Sequence, residues 1–413
     1  MNFYVKTYGC KLNQADSEII KGFLSKEYKE TSKEDADFVI LNTCGVIKKT
    51  ERKIIKEAKD LKKKGKKVII AGCLPMISLE ECQKVADGII GPSNLLSILL
   101  VVKKALKGEK LIETKKENID KSFYYGKEEK SSLIVPIAEG CLGNCSYCAT
   151  KIARKNLVSF SPEKIIERIK NSKAIEVQIT SQDLSVYGME KGSQSLVSLL
   201  KEIIKIDRDF KIKLGMMNPG YTLKIMNELF DVFDSEKIYK FIHLPLQSGS
   251  DDLLGKMRRP YLSKDFVKIS KSFRKKFKET IIATDIIVGH PSETEEDFKK
   301  TIKIVEEIKP EVVHIFKFSK RKGTEDFKLK DLPDRIKKDR SRILSNLCKN
   351  INIEKNKKYL NKTLKTLIVE KRNQSYLART DSGRAIIVKN GIIGKYYKIK
   401  IIDYKWNYLI GEV

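Results

Sequence analysis

Three short apolar runs open the chain at regular intervals, NFYVKTYGC, DFVILNTC and KKVIIAGC, rich in Val, Ile and aromatics. Charged segments of helix length, SEIIKGFLSKEY and TERKIIKEAKDLKKK, separate them. Strand-length runs alternating with helical periodicity predict an open, parallel α/β sheet over residues 1–105. Each run ends in a cysteine: Cys10, Cys44 and Cys73. In such sheets the carboxyl ends of the strands converge on one crevice, so these three can meet. Taken singly, a strand-end cysteine is often only a small buried apolar group.

Residues from about 104 to 130 are charged and without sustained periodicity, which predicts a connection. A second series follows over 130–330, with LIVPIAEG, IEVQITSQD, KIKLGMMNP, KFIHLPLQSG, IIATDIIVGHP and VVHIFKFSK as strands and amphipathic segments such as PEKIIERIKN between them. Six such units predict a partial (βα)6 TIM-like barrel with its chemistry in the loops after the strands. A Lys-rich helical stretch near 333–358 leads to short alternating runs over 360–413, which predict a small antiparallel β barrel of OB-like form. On that barrel Tyr376, Arg379, Arg384, Tyr396 and Tyr397 offer stacking and phosphate contacts, or serve as its core.

Composition narrows the function. Lys plus Arg number 83 against 54 Asp plus Glu, a formal charge of +29 that favours a polyanionic partner such as nucleic acid. The apolar stretches fall short of the roughly 18 residues a membrane span needs, so a cytoplasmic, membrane-free protein is expected. Eight cysteines in such a chain point to metal ligation or catalysis rather than disulfides. Cys141, Cys145 and Cys148, in GCLGNCSYCATKIAR, form a C-x3-C-x2-C set with no fourth Cys or His beside it. A structural zinc site would need a distant fourth ligand, whereas an iron–sulfur cube on three thiolates keeps one iron open. Cys82 and Cys348 read as packing residues, and the three histidines as structural.

The triplet, with Tyr147 before its last cysteine, resembles the radical S-adenosylmethionine superfamily. That resemblance implies a [4Fe-4S] cluster on Cys141, Cys145 and Cys148 whose open iron binds S-adenosylmethionine, cleaved to a 5′-deoxyadenosyl radical. Across the whole chain, KTYGCKLNQADSE, LNTC, AGCLP and DIIVGHPSETEEDF resemble the methylthiotransferases. The likeness implies a second, auxiliary [4Fe-4S] cluster on Cys10, Cys44 and Cys73 that carries the inserted sulfur, and a C-terminal TRAM domain that binds tRNA. ITSQDLSVYG, KLGMMNPGY, HLPLQSGSDDLLGKMRRPY and FSKRKGTED look like the archaeal and eukaryotic threonylcarbamoyladenosine tRNA methylthiotransferases. What this branch implies is conversion of N6-threonylcarbamoyladenosine, beside the anticodon at position 37, to its 2-methylthio derivative. Partners are then the tRNA anticodon stem-loop, an electron donor and a sulfur donor.

Carried over by position, Tyr147 would contact the adenine region of S-adenosylmethionine. Gln182 or Asp183 would meet its ribose or amino group, Gln247 and Ser248 would complete the pocket, and Arg259 would reach the carboxylate. Alternatively, Arg258 and Arg259 form a solvated helix-end pair, and Gln182 with Asp183 cap a turn. Lys155, His290, Ser292 and Lys322 depart from the usual Gly, aromatic, Gly and Pro, and none removes a sulfur ligand. The competing functions are a methylthiotransferase acting on isopentenyladenosine or a ribosomal-protein aspartate, and a non-catalytic metal-containing RNA-binding protein.

Overall fold

The three opening runs form β1 (Asn2–Thr7), β3 (Phe38–Thr43) and β4 (Lys67–Gly72), which pair side by side in parallel. With β2 (Lys29–Glu30), β5 (Gly88–Ile90) and β6 (Leu111–Glu113) they make a six-stranded sheet in the order β2-β1-β3-β4-β5-β6. The structure, a computed structural model, describes residues 1–115, 117–124, 131–192 and 195–413. Both faces of the sheet are covered, as the continuous apolar runs of β3 and β4 require. Phe3, Ile40 and Ile69 pack under the helices Lys11–Leu24 and Ile98–Leu106, while Leu41, Val68 and Ile70 pack against the helix Lys48–Lys63. The sheet runs past residue 105, because β6 pairs with β5. The segment expected to be a plain connection also buries Lys121. Residue 130, the expected start of the barrel, lies outside the described residues.

All six expected barrel strands form: β7 (Ser132–Pro136), β10 (Glu176–Thr180), β11 (Lys211–Leu214), β12 (Phe241–His243), β13 (Ile281–Val288) and β14 (Val312–Lys317). A short pair, β8 (Ala138–Glu139) with β9 (Val158–Ser159), flanks them. Two three-stranded parallel sheets are joined by single bridges, Ile212 to Ile238 and Met216 to His243, giving one curved and incompletely closed wall. Val135, Val177, Ile212, Ile242 and Ile282 face the outer helices and form the largest core. Side chains of the opposite parity, among them Gln178, Lys213, His243 and His314, face the lumen.

The helix Asp334–Lys357 leads to β15 (Thr363–Arg372), β16 (Ser375–Arg379), β17 (Ala385–Val388), β18 (Tyr396–Tyr404) and β19 (Leu409–Glu412), a closed barrel with one parallel pair, β17 with β19. It docks at the amino ends of the larger barrel's strands: Arg379 Nε lies 2.8 Å from Glu176 Oε2, and Lys211 Nζ lies 2.7 Å from Asp381 Oδ1. Of the five side chains singled out for RNA contact, Tyr396 is exposed. Tyr376 and Tyr397 pack against the barrel core, Arg379 is engaged by Glu176, and Arg384 bonds Asn356 Oδ1 at 2.9 Å. No helix among the described residues is long and apolar enough to cross a membrane.

Candidate functional site: two cysteine triads linked by a buried arginine

Cys10 caps the helix Lys11–Leu24 after β1, Cys44 follows β3, and Cys73 follows β4. Because β1, β3 and β4 are neighbours, their carboxyl ends bring the three cysteines to one edge of the sheet. The approach depends on Gly72, at φ +92°, where an added Cβ would lie 2.6 Å from the Thr43 carbonyl oxygen. Cys73 is fully enclosed. Burial pushes its thiol up to about 11, with Arg154 opposing, and Cys10 and Cys44 lie close enough to raise it further. Burial also raises Cys44, which accepts a bond from the Val46 backbone.

The other triad occupies the loop between β8 and the helix Ala149–Arg154. The Gly143 amide donates to Cys141 Sγ at 3.2 Å, and a Cβ on Gly143 would lie 3.4 and 3.7 Å from the sulfurs of Cys141 and Cys145, so both flank this glycine. The chain can turn into the loop because Gly140 has φ +79° with the Asn156 carbonyl oxygen where a side chain would stand, only 1.8 Å from an added Cβ. A buried chain of polar groups anchors the loop from below. Ser146 Oγ donates to Asp326 Oδ2 at 2.8 Å, and His290 Nε2 lies 2.8 Å from the same oxygen. His290 therefore replaces an aromatic residue without loss of packing, since its ring sits edge-on against Phe318 and its nitrogen holds the cysteine loop.

These cysteines open on a cavity of about 270 Å³. Arg259 reaches Cys145 Sγ with Nη1 at 3.0 Å while its Nε donates to Tyr261 at 3.0 Å. Arg258, its neighbour, is the solvated member, paired with Glu325 at 2.6 Å. Gln182 accepts from the Gly140 amide at 2.8 Å. Asp183 caps the following turn as its sequence position suggests, Oδ1 accepting from the Ser185 and Asn218 amides, each at 3.0 Å. Its other oxygen, Oδ2, is buried beside the cavity with no donor, and burial raises the carboxyl pKa against those hydrogen bonds. Gln247, held at φ +64°, likewise presents a buried, unpartnered Oε1. Tyr147 packs on Met257 and Phe318 at the rim. Ser248 is not brought to the cavity: the turn at Gln247 sends it the other way, to the Ser250 amide at 3.1 Å and toward Thr301.

Desolvated thiols, basic groups aimed at sulfur and two orphaned acceptors form a donor set that fits a thiolate-held cluster beside a ligand rich in N–H and O–H groups. Val46 and Ile47, immediately after Cys44, line the same cavity as Cys141, Cys145 and Cys148. The segment after Cys44 thus reaches the space in front of the second triad. Arg154 joins the two triads, and nothing in its sequence neighbourhood beyond its place after the cysteines announces it. From the end of the helix Ala149–Arg154 its Nε donates to Cys73 Sγ at 3.3 Å, Nη2 to Asp16 Oδ2 at 2.5 Å, and Nη1 lies 3.0 Å from Glu139. Lys121 completes the buried network, 2.8 Å from Asp16 and 2.5 Å from Glu139. Cys82 and Cys348 lie within apolar cores, away from both triads. Of the histidines only His290 is a core imidazole; strand parity turns His243 and His314 into the lumen, where His243 Nε2 meets Asp285 Oδ1 at 3.0 Å.

Residues 135–305 match the family model described as radical SAM superfamily, which assigns the class to which this barrel and its cysteine loop belong. Residues 2–91 match the family UPF0004 and residues 357–413 the TRAM domain. Among solved structures, the radical S-adenosylmethionine methyltransferase TsrM from Kitasatospora setae superposes with a TM-score of 0.55 over 79% of this chain and 76% of its own, at 10% identity, a likeness of fold. A probable threonylcarbamoyladenosine tRNA methylthiotransferase of Archaeoglobus fulgidus is 46% identical over 100% of this chain and 99% of its own length. The Drosophila melanogaster threonylcarbamoyladenosine tRNA methylthiotransferase is 35% identical over 83% of this chain and 65% of its own. The chain belongs to the threonylcarbamoyladenosine tRNA methylthiotransferase family.

Proposed function

We propose that this chain is a tRNA methylthiotransferase that converts N6-threonylcarbamoyladenosine beside the anticodon, position 37, to its 2-methylthio derivative. The observation that carries this reading is the cavity in front of Cys141, Cys145 and Cys148, which Val46 and Ile47 of the N-terminal unit and Arg154 also line, Arg154 in turn bonding Cys73 Sγ of the other triad at 3.3 Å. Two [4Fe-4S] clusters and S-adenosylmethionine, when bound, supply the radical that takes hydrogen from carbon 2 of the adenine and the sulfur and methyl group placed there. Cys141, Cys145 and Cys148 hold one cluster, and Cys10, Cys44 and Cys73 the other. Asp183 Oδ2 and Gln247 Oε1 serve as acceptors for amino and hydroxyl donors of the nucleoside, with Gln182 keeping the loop at Gly140 in place. Tyr147 flanks the adenine. Arg259, bonded to Cys145 Sγ at 3.0 Å, brings a positive charge to the cluster and to the carboxylate of the methionine moiety. Val46 and Ile47 exclude water from the space where a radical must survive.

The tRNA anticodon stem-loop would be held by the TRAM barrel and by a chain of charge +29. A reductant and a sulfur source complete the partner set, and the site of action is the cytoplasm. The test is mass spectrometry of tRNA nucleosides from a strain lacking this gene. Loss of the methylthio-threonylcarbamoyl nucleoside, with its precursor accumulating, is expected. Its persistence alongside loss of the isopentenyl counterpart would move the substrate assignment to that relative of the reaction.

A further inference from the structure

The lumen below the cavity carries charge that the reaction chemistry does not use. Three ion pairs close around it: Glu176 with Arg379 at 2.8 Å, Asp285 with His243 at 3.0 Å, and, toward the amino ends of the strands, Lys211 with Asp381 at 2.7 Å. Lys213, on β11, joins none of them. Its Nζ lies over the Phe241 ring, 4.4 Å from the centroid, and has no hydrogen-bond or ion-pair partner among the described residues. Burial lowers its pKa to about 8, with Arg379 and Lys11 adding repulsion and Glu176 opposing. A half-buried ammonium without a counter-ion sits in an unfavourable position that an arriving anion would relieve.

The position of Lys213 relative to the cavity narrows the choice of anion. Met216, three residues further along the same chain and about 10 Å away at strand rise, lines the cavity, as does Asp285. Asp285 touches His243, the ring of His243 lies 5.7 Å from that of His314, and His314 lies close enough to Lys213 to feel its charge, so polar groups are strung from the cysteine cavity toward Lys213. An adenine presented with carbon 2 toward the cysteines carries its N6 substituent away from them, down this path. In threonylcarbamoyladenosine that substituent ends in a carboxylate, and an isopentenyl arm has none.

Building on the functional reading above, we propose that Lys213, with His243 and His314 beside it, forms a subsite for the carboxylate of the threonylcarbamoyl arm and so selects the modified adenosine. An ammonium supplies a point charge to a carboxylate, and leaving it unpaired penalises substrates that lack one. His243, fixed by Asp285, and His314 are placed to meet the polar urea and hydroxyl groups of the arm.

The experiment measures binding of anticodon stem-loops to the reconstituted full-length protein. One stem-loop carries threonylcarbamoyladenosine and the other its carboxylate methyl ester. Wild type should bind the free acid at least about tenfold more tightly than the ester, and Lys213→Gln should bind the two within about twofold of each other; a factor of ten corresponds to about 1.4 kcal/mol. Lys213→Arg, which keeps the charge, should retain most of the preference. Equal binding of acid and ester by wild type overturns the subsite even if the Gln variant fails to fold, and so does a tenfold preference that survives in Lys213→Gln. Methylthiolation of the acid stem-loop by wild type is followed in parallel. Product formation with no acid preference sinks the subsite alone, whereas absence of product sinks the functional reading with it.

Discussion

Cys145→Ala is expected to abolish both cleavage of S-adenosylmethionine and methylthiolation, whereas Cys73→Ala should abolish methylthiolation and leave reductive cleavage measurable. The separation follows from position. Cys145 belongs to the loop whose sulfur meets Arg259 at 3.0 Å and which opens on Asp183 and Gln247. Cys73 belongs to the sheet edge and contacts the other unit through Arg154 at 3.3 Å. Removing one of three thiolates leaves a cube with too few protein ligands. The measurement is 5′-deoxyadenosine and methylthio product from one anaerobic reaction, resolved by chromatography. Parallel loss of both activities in Cys73→Ala, with the other triad still metallated, would mean that the two triads do not have separate duties.

Replacing Arg154 by Met should have the largest effect on stability of any single change outside the cysteines. The substitution is similar in volume, so the apolar contacts survive in part, but Asp16 and Glu139 are left buried with Lys121 as their only cation among the described residues. Breaking a buried pair by removing one partner costs about 3–5 kcal/mol, because a desolvated charge remains uncompensated. That is a large share of the roughly 5–15 kcal/mol that keeps a domain folded. Urea denaturation followed by circular dichroism should show an early transition for the N-terminal unit. Addition of Asp16→Asn should restore part of the loss, since the two positions share one network and cannot be additive. An unfolding profile within about 0.5 kcal/mol of wild type, the range of an ordinary surface change, would show that the network does not hold the two units together. Arg154 also touches Cys73, so iron content should fall in the same variant.

What the sequence revealed, and what it concealed, divides along physical lines. Cys10, Cys44 and Cys73 could be read as a group because apolar strand-length runs ending in cysteine place each at the same edge of a parallel sheet. Cys141, Cys145 and Cys148 were legible from local spacing alone. Asp183 carried two readings, turn cap and ligand acceptor: Oδ1 fills the cap, and Oδ2 is buried without a hydrogen-bond partner among the described residues. Ser248 turns away from the cavity because of a positive φ at Gln247, which cannot be inferred from an ordinary glutamine. Arg154 and Lys121 stayed hidden since their shared partners Asp16 and Glu139 come from a helix and a strand far apart in the chain, and a charged linker gives no sign that one of its lysines will be enclosed by two carboxylates. Arg379 looked like a phosphate ligand for the same reason; only docking of the small barrel on Glu176 engages it. His243, His314 and Lys213 acquire their meaning from strand parity around an incompletely closed lumen, a property of the assembled barrel.

The most direct measurement is iron and acid-labile sulfide in the anaerobically reconstituted chain, before and after Cys10, Cys44 and Cys73 are all changed to Ala. Two cubes on six cysteines require about eight iron atoms per chain in the wild type and about four in the triple variant, with the visible absorption roughly halved. Zinc in place of iron, or an iron content unchanged by the triple substitution, would contradict the assignment of a separate cluster to each triad.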